Sequence, residues 1–329
     1  MRAMLCKEFG PPENLVLEEQ PSPLLPAGHV RIGVRACGVN FPDLLIIAGK
    51  YQFKPPFPFA PGSEVAGDII ELGEGVTDLA VGDRVMGMCG WNGFADEVVV
   101  TAAACIKLPD SMDYETGSSI AMTYGTSYYA LKQRGQLQPG ETLLVHGAAG
   151  GVGTAALDLG RAMGAKLIAT AGSDEKLAVV RDTFGVEHTI NYETQKPLKD
   201  AVKAATDGRG ADVIYDPVGG EVFDQSLRCI AIDGRLLVIG FTSGTIPSAP
   251  ANLVLLKSCS IVGVFWGPWN GRCREESRQN FREIFEMHAA GKLQPIISHR
   301  FPLERAAEAL QAVAQRKVIG KAVLTVAPA

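Results

Sequence analysis

A glycine-rich turn between an apolar run and a helical pattern is the feature of this sequence that most directly predicts chemistry. The run Leu143–Val145 leads into residues 147–153, which read Gly-Ala-Ala-Gly-Gly-Val-Gly, and Val152 and Ala156 then follow at helical spacing. Glycines let a backbone approach phosphate groups closely, and a helix N-terminus offers free N–H groups and the positive end of its dipole. This order predicts a site for a dinucleotide pyrophosphate.

The match to the dinucleotide fingerprint is imperfect, because Ala148 stands where the first glycine of G-x-G-x-x-G is usual, before Gly150 and Gly153. Such a motif alone leaves an incidental glycine turn as the alternative. The next apolar run, Lys166–Ala171, arrives at the distance expected for a βαβ unit. This context favours nucleotide binding.

The composition narrows the class of protein. The 329 residues suffice for roughly two domains of ~150 residues. A net charge of −5 provides no basic surface for nucleic acid, and no apolar run reaches the ~18 residues that span a bilayer. The N-terminus lacks an apolar signal core, and the seven cysteines are dispersed without a C-x-x-C pair. We expect a cytoplasmic protein with free thiols that binds neither nucleic acid nor membranes.

The elements that position the glycine turn change in character along the chain. The first third contains short apolar runs interrupted by Gly and Pro, which indicates β-structure. From Glu141 on, strands alternate with helical patterns, which predicts an α/β fold with a doubly wound parallel sheet. The predicted strands are Leu143–Val145, Leu167–Ala171, His188–Ile190, Val213–Tyr215, Leu236–Ile239 and Ile261–Phe265. The tail has a helical pattern from Leu303 to Val313 and a strand at Lys321–Val326.

Several further stretches, spread over nearly the whole chain, carry a family resemblance. They are Cys37–Asp43, Pro61–Gly67, Gly82–Val85, Gly147–Gly153, Gly172–Lys176, Phe265–Gly267 and Gln315–Lys317. In these stretches the sequence resembles the zinc-independent, zeta-crystallin-like quinone oxidoreductases of the medium-chain dehydrogenase/reductase superfamily. The resemblance implies a Rossmann domain at residues 123–294 and a GroES-like catalytic domain at residues 1–122, completed by residues 295–329. It also implies a homodimer that pairs through the apolar stretch Ser260–Phe265.

The resemblance assigns cofactor contacts along the chain and implies that NADPH is the cofactor. The implied contacts are Asn40, Thr126, Ala149, Gly150, Gly151, Val152, Gly172, Ser173, Lys176, Tyr192, Phe241, Phe265, Trp266 and Lys321. For Phe265 and Trp266, the alternative is a role in the dimer-interface strand. His146, at the entrance to the glycine turn, is expected to be a packed core residue.

The residues after the second sheet strand bear on the choice between NADPH and NADH. NAD enzymes usually place an acid there to bind the ribose 2′-OH, but this strand ends in Ala171-Gly172-Ser173. The small residue leaves room for a 2′-phosphate, to which Ser173 can donate and near which Lys176 can place a cation. Ser173 is also a suitable helix N-cap, and Asp174 remains an acid that is able to serve the ribose of NADH. We predict a preference for NADPH.

The positions that hold zinc in the metal-dependent relatives carry Asn40, Ser63 and Thr123 in this chain. An amide and two hydroxyls are poor ligands for an ion that prefers thiolate and imidazole. We therefore expect no metal, and an electrophilic acceptor is then easier to reduce than an alcohol is to oxidise.

The resemblance implies hydride transfer from NADPH to a quinone or an activated C=C bond. Candidate catalytic residues are Tyr51, Asn40 and Asp43, with Tyr51 as the general acid because a matching tyrosine donates a proton in medium-chain 2-enoyl thioester reductases. The alternative for Tyr51 is aromatic packing under a loop, and Asp43 fits a turn or cap acid. Two other functions stay open, a 2-enoyl thioester reductase and an NADPH-binding protein without catalysis.

Overall fold

The N-terminal part of the chain consists mainly of strands separated by turns, as the sequence predicts, although the strands His29–Val39 and Glu64–Leu72 are longer than the expected short runs. The structure, a computed structural model, describes residues 1–327. The N-terminal elements are β1 (Arg2–Leu5), β2 (Val16–Glu19), β3 (His29–Val39), α1 (Phe41–Ile47), β4 (Glu64–Leu72), β5 (Arg84–Met88), β6 (Glu97–Thr101) and β7 (Cys105–Lys107).

The central part alternates between helices and strands. Its elements are α2 (Tyr114–Tyr128), β8 (Thr142–Val145), α3 (Gly151–Ala162), β9 (Lys166–Ala171), α4 (Asp174–Phe184), β10 (His188–Asn191), α5 (Leu198–Ala204), β11 (Ala211–Asp216), α6 (Glu221–Cys229), β12 (Ile230–Val238), α7 (Ala251–Lys257), β13 (Ser260–Gly263), α8 (Trp266–Arg272) and α9 (Arg274–Ala289). The C-terminal part contains β14 (Ile297–Pro302), α10 (Ala306–Ala314) and β15 (Lys321–Thr325).

The chain divides into two compact units, each described below by itself. The first comprises Met1–Met122 together with the segment that begins at Ile296, and the second comprises Thr123–Pro295. The C-terminal segment belongs to the first unit because β15 pairs antiparallel with β3 and packs its apolar side chains into the same core.

The second unit is built on a six-stranded parallel sheet with the order β10-β9-β8-β11-β12-β13. This order is that of the doubly wound dinucleotide-binding fold, in which the first strand lies near the middle of the sheet and the glycine turn follows it. The four residues of β8 are buried, as expected for a central strand covered by helices on both faces.

The first unit contains a largely antiparallel sheet with the order β14-β15-β3-β4-β5-β7, and β6 pairs with β3 outside that path. The strands β1 and β2 form a separate antiparallel pair. The long strand β3 ends at Val39, so Asn40 lies where the chain turns from the sheet into α1.

The predicted strands of the parallel sheet are all present, but some of their boundaries are wrong. Leu236–Ile239 was expected as a strand, whereas β12 begins earlier, at Ile230, and ends at Val238. Ile261–Phe265 was expected as a strand, whereas β13 ends at Gly263 and Phe265 is the N-cap of α8. Pro268 lies in the first turn of α8, where proline is tolerated because the first N–H groups of a helix have no partner within it. The apolar pattern alone does not indicate where pairing stops.

Candidate functional site

The glycine turn of the second unit has the backbone geometry that its composition predicts. Gly147 has a φ of 55°, which favours glycine. A Cβ at Gly153 would lie 2.3 Å from the carbonyl oxygen of Gly147, so only glycine lets α3 approach the turn this closely. Ala148, the departure from the fingerprint, is buried, and its N–H donates to the carbonyl oxygen of Thr170. An alanine at this position is therefore compatible with the turn.

The first turn of α3 provides a place for a pyrophosphate. The helix begins at Gly151 with Gly150 as its N-cap, and Ala149 and Val152 flank these two glycines. The first N–H groups of a helix have no partner within it and carry the positive end of its dipole. Gly153 permits a close approach between α3 and the glycine turn, and the N-terminus of α3 presents free N–H groups. Together these two features suit the binding of a dinucleotide.

Four predicted residues follow the ends of β9 and β10 along the chain, and we call them the strand-end cluster: Gly172, Ser173, Lys176 and Tyr192. The register of the two parallel strands pairs Asn191 with Ala171, so Tyr192 and Gly172 each lie one residue beyond the pairing. A Cβ at Gly172 would lie 3.2 Å from the ring and hydroxyl of Tyr192. Glycine therefore makes room for the tyrosine ring at the position where NAD enzymes usually carry an acid.

Ser173 is the N-cap of α4 by position, but its side chain does not make the cap hydrogen bond. Its Oγ donates instead to Oε2 of Glu175 at 2.9 Å. Asp174 accepts a hydrogen bond from Nδ2 of Asn191 at 2.9 Å. Both acids that follow the strand-end cluster are thus bound to neighbouring side chains.

The other predicted cofactor contacts of the second unit differ in exposure. Phe241 and Phe265 expose 40% and 61% of their surface, respectively, and Thr126 is half-buried. Trp266 is only 5% exposed, and its ring lies 6.3 Å from that of Phe281. A Cβ at Gly125 would lie 2.6 Å from the indole of Trp266. Trp266 thus packs inside the unit, and its contact with a cofactor stays a prediction.

His146 is fully buried, as the sequence predicts for a core residue. Its Nδ1 lies 2.9 Å from Oγ1 of Thr170 and its Nε2 lies 2.8 Å from Oγ of Ser226. Burial lowers the pKa of this imidazole. Because one nitrogen binds a residue of β9 and the other a residue of α6, His146 supports the start of the turn.

In the first unit, four residues form a buried charge network: Asn40, Asp43, Glu64 and Lys321. The ammonium of Lys321 donates to Oδ1 of Asn40 at 2.7 Å, to Oε1 of Glu64 at 2.8 Å and to the carbonyl oxygen of Val39 at 3.0 Å. Nδ2 of Asn40 donates to the same Oε1 of Glu64 at 2.8 Å. These hydrogen bonds therefore hold the side chains of Lys321, Glu64 and Asn40 in one arrangement.

Chain topology brings these distant residues together. The antiparallel pairing of Ala322 with Val39 places Lys321 beside Asn40. A Cβ at Gly38 would lie 2.6 Å from Oε1 of Glu64, so glycine there leaves room for the carboxylate. All three N–H bonds of the Lys321 ammonium go to protein acceptors. Lys321 therefore helps to orient the amide of Asn40, and a direct contact between Lys321 and a cofactor stays a prediction.

Asp43 is fully buried and acts as a cap acid. Its Oδ2 accepts the N–H of Asn40, the N-cap of α1, at 2.7 Å, and its Oδ1 accepts the N–H of Gly62 at 3.2 Å. Burial raises the pKa of this carboxyl to about 7, although the two N–H groups and the Lys321 ammonium lower it. The interpretation of Asp43 as a cap acid is confirmed, and its catalytic role stays a prediction.

Tyr51 lies beyond the C-terminal end of α1, half-buried and packed against the core of the first unit. Its ring contacts that of Phe53 edge to face at 5.0 Å, and Phe53 lies 5.8 Å from Trp91. Burial and then the charge of Asp43 raise the pKa of its phenol. Tyr51 thus keeps its proton at neutral pH and also packs. A general acid has to carry a proton, so both interpretations remain compatible.

Glu64, Phe53 and Trp91 were not identified as site residues from the sequence. Glu64 lies inside the Pro61–Gly67 stretch, and its being the only charged residue of that stretch was the available signal. Phe53 and Trp91 lie in irregular segments, so no periodicity marks them. Of the three positions that match zinc ligands in relatives, Asn40 and Ser63 lie 3.5 Å apart, Nδ2 to Oγ. Residues 1–327 contain no cluster of three or more His, Cys, Asp or Glu arranged to hold a metal.

Models of two protein families match the chain. Residues 26–110 match the alcohol dehydrogenase GroES-like domain, and residues 151–286 match the zinc-binding dehydrogenase family. Among curated proteins, the chain is 44% identical to a quinone oxidoreductase-like protein 2 homolog of Nematostella vectensis, over 98% of this chain and 88% of that protein.

Solved structures are similar over the whole chain. The quinone oxidoreductase of Escherichia coli complexed with NADPH has a TM-score of 0.89 and 28% identity, covering 99% of this chain and 100% of that one. The enoyl reductase CurK has a TM-score of 0.88 and 26% identity, covering 99% of each chain. This chain belongs to the quinone oxidoreductase family of the medium-chain dehydrogenases/reductases.

Proposed function

We propose that this protein is a zinc-independent, NADPH-dependent oxidoreductase that reduces a quinone or an α,β-unsaturated carbonyl compound. The observation that carries the proposal is the strand-end cluster, where Tyr192 packs on Gly172 and no acid ends β9. The relative complexed with NADPH supports the choice of cofactor, and relatives named quinone oxidoreductases support the acceptor. When bound, NADPH supplies the hydride.

The residues of this chain then have separate tasks in the proposed reaction. Gly150 and Gly151 allow the pyrophosphate to approach the first turn of α3, and Gly153 lets that helix pack against the glycine turn. Lys176 provides a cation for the 2′-phosphate. The second unit serves as the dinucleotide-binding domain, and the first serves as the GroES-like catalytic domain.

In the catalytic domain, the amide of Asn40 is oriented by Lys321 and Glu64, and Asp43 holds the turn from β3 into α1. Tyr51 donates a proton to the reduced acceptor where that acceptor needs one.

Reduction of a 2-enoyl thioester is the second candidate. The structural similarity to CurK and the protonated phenol of Tyr51 favour it. An enoyl thioester gains a carbon-bound proton after it accepts a hydride, which is the step for which a positioned acid is useful.

Steady-state oxidation of NADPH tests both candidates against a panel of quinones, cyclic enones and crotonyl thioesters, before and after prolonged chelation. We expect turnover with quinones or enones, unchanged by chelation. Preferred turnover of crotonyl thioesters supports the second candidate. Activity lost together with stoichiometric zinc contradicts the zinc-independent assignment. Tight NADPH binding without turnover of any acceptor favours a non-catalytic role.

We also propose a cytoplasmic homodimer. The strand β13 lies at an edge of the parallel sheet, with Ile261 and Val262 half-exposed. Leu255 and Leu256 of α7 expose 78% and 71% of their surface. Apolar edge strands are usually covered by another strand or chain. Light scattering should give the mass of a dimer, and a monomer mass at all concentrations contradicts the proposal.

Among residues 1–327, none of the helices has the length and apolar character that crossing a membrane requires.

A further inference from the structure

Asp174 lies at the start of α4, directly after Ser173 of the strand-end cluster. A carboxylate here is able to accept a hydrogen bond from the ribose 2′-OH of NADH, and it repels a 2′-phosphate. The residue is solvent-exposed, but its Oδ1 accepts a hydrogen bond from Nδ2 of Asn191 at 2.9 Å. This hydrogen bond therefore turns the carboxylate of Asp174 toward Asn191, the last residue of β10.

The amide of Asn191 is itself held in one orientation. Its Oδ1 accepts the N–H of Glu193 at 3.0 Å, and its backbone N–H donates to Oε1 of Gln195 at 2.8 Å. Only 6% of the residue is exposed. Because the oxygen end of the amide faces the turn after β10, the NH₂ end has to face Asp174.

We propose that Asn191 determines cofactor specificity by holding the Asp174 carboxylate away from the ribose. This inference rests on the proposed function, because it concerns how that site distinguishes NADPH from NADH. With Asp174 bound to Asn191, the 2′-phosphate of NADPH is left to Lys176, to Tyr192 and to Ser173, whose hydroxyl has to turn from Glu175 to donate to it. Without the amide donor, the carboxylate is free to accept the 2′-OH of NADH and to repel NADPH.

The physical basis is the competition between two donors for one carboxylate. A hydrogen bond to a charged group is stronger than one between neutral groups, so the group that binds Asp174 decides where its charge lies. The Coulomb energy between an exposed carboxylate and a phosphate falls as the distance between them grows, and salt screens it over roughly 8–10 Å. A rotation of the Asp174 side chain therefore changes how strongly it repels a nearby phosphate.

The experiment measures the dissociation constants of NADPH and NADH by titration of reduced-nicotinamide fluorescence, which does not depend on turnover. The proteins are the wild type, Asn191→Leu, Asp174→Asn and the double variant with both changes. For Asn191→Leu we expect the preference for NADPH over NADH to fall by about fivefold to tenfold. Asp174→Asn should leave the affinity for NADH unchanged, and the double variant should regain at least the wild-type preference.

A second set of variants distinguishes a change in cofactor preference from a folding defect. Asn191→Asp keeps an oxygen for the N–H of Glu193 but has no donor for Asp174, and we expect a similar loss of preference. The exchange variant Asp174→Asn/Asn191→Asp has the same total charge and restores a donor and an acceptor, so its preference should return to within about twofold of the wild type. Thermal unfolding of each variant checks that the fold is kept.

Three results would overturn the inference. An unchanged preference in both single variants at position 191, in a wild type that prefers NADPH, overturns the inference and leaves the proposed function intact. A selective loss of NADH affinity in Asp174→Asn shows that Asp174 already serves the ribose. A wild type that binds neither cofactor overturns the proposed function and this inference together.

Discussion

The buried charge network of the first unit and the strand-end cluster of the second bear on the same proposed reaction but are built in opposite ways. In the network, the side chains of Glu64 and Lys321 are 0% and 6% exposed, and their charges lie 2.8 Å apart. In the strand-end cluster, Gly172 is exposed and Ser173, Lys176 and Tyr192 are half-exposed. The charge network is therefore buried and held by its own hydrogen bonds, whereas the strand-end cluster is accessible to solvent.

This difference teaches which property each region controls. A buried ion that loses its partner destabilises the fold, so a change in the network should affect folding and chemistry together. Polar residues at an open strand end contribute little to stability, so changes there alter which ligand binds. Four substitutions follow in order of decreasing expected effect. Those at Lys321 and Lys176 test this distinction directly, and those at Tyr51 and Gly153 test other residues of the same two units.

Lys321→Met should cause the largest loss. It leaves the Glu64 carboxylate buried without its cation, and removal of one partner of a buried pair costs about 3–5 kcal/mol. We expect the free energy of unfolding in urea to fall by that amount. The matched control is Lys176→Met, the same chemical change in the strand-end cluster, which should cost about 1 kcal/mol or less. Similar losses in both variants would remove the distinction between the two regions.

Tyr51→Phe should reduce kcat/KM for an enone by about a hundredfold and affect a quinone much less, because a positioned acid contributes ~10²–10⁴-fold to proton transfer. A reduced enone has to gain a proton, whereas a hydroquinone anion takes its proton from water. The ring packing against Phe53 is kept in this variant. Equal losses with both acceptors would return Tyr51 to a packing role, and no loss with either would remove it from the mechanism.

Gly153→Ala should weaken the binding of NADPH by at least about tenfold, because the new Cβ would lie 2.3 Å from the carbonyl oxygen of Gly147 and α3 would have to move. Gly271→Ala is the control, since a Cβ there meets nothing within 4 Å. Fluorescence titration of both variants provides the comparison. Wild-type affinity in Gly153→Ala would show that the turn tolerates the displacement.

Lys176→Glu should shift the ratio of affinities toward NADH by about tenfold, since it replaces the proposed partner of the 2′-phosphate with a like charge. The unfolding free energy should stay within about 1 kcal/mol of the wild type, because the side chain is only half-buried. An unchanged ratio of the two dissociation constants would show that Lys176 does not contact the 2′-phosphate.

Most of the fold was predictable because its signals are local. The six strands of the parallel sheet follow from apolar runs separated by helical spacing, and the glycine turn follows from seven consecutive residues. The strand-end cluster was also identified from the sequence, since Gly172, Ser173 and Lys176 lie within five residues of one another. Where β13 ends was not predictable, because Phe265 continues its apolar pattern beyond the backbone hydrogen bond that Val264 donates to Val238 of β12.

The sequence by itself therefore determined the parallel sheet, the glycine turn and the residues that follow β9, all of which depend on neighbours in the chain. Only the tertiary structure decided that Lys321 lies against Asn40 and Glu64, because the antiparallel pairing of β15 with β3 joins segments more than 250 residues apart. It also decided that Asp174 is bound to Asn191, since the direction of a side chain depends on the groups that surround it in space.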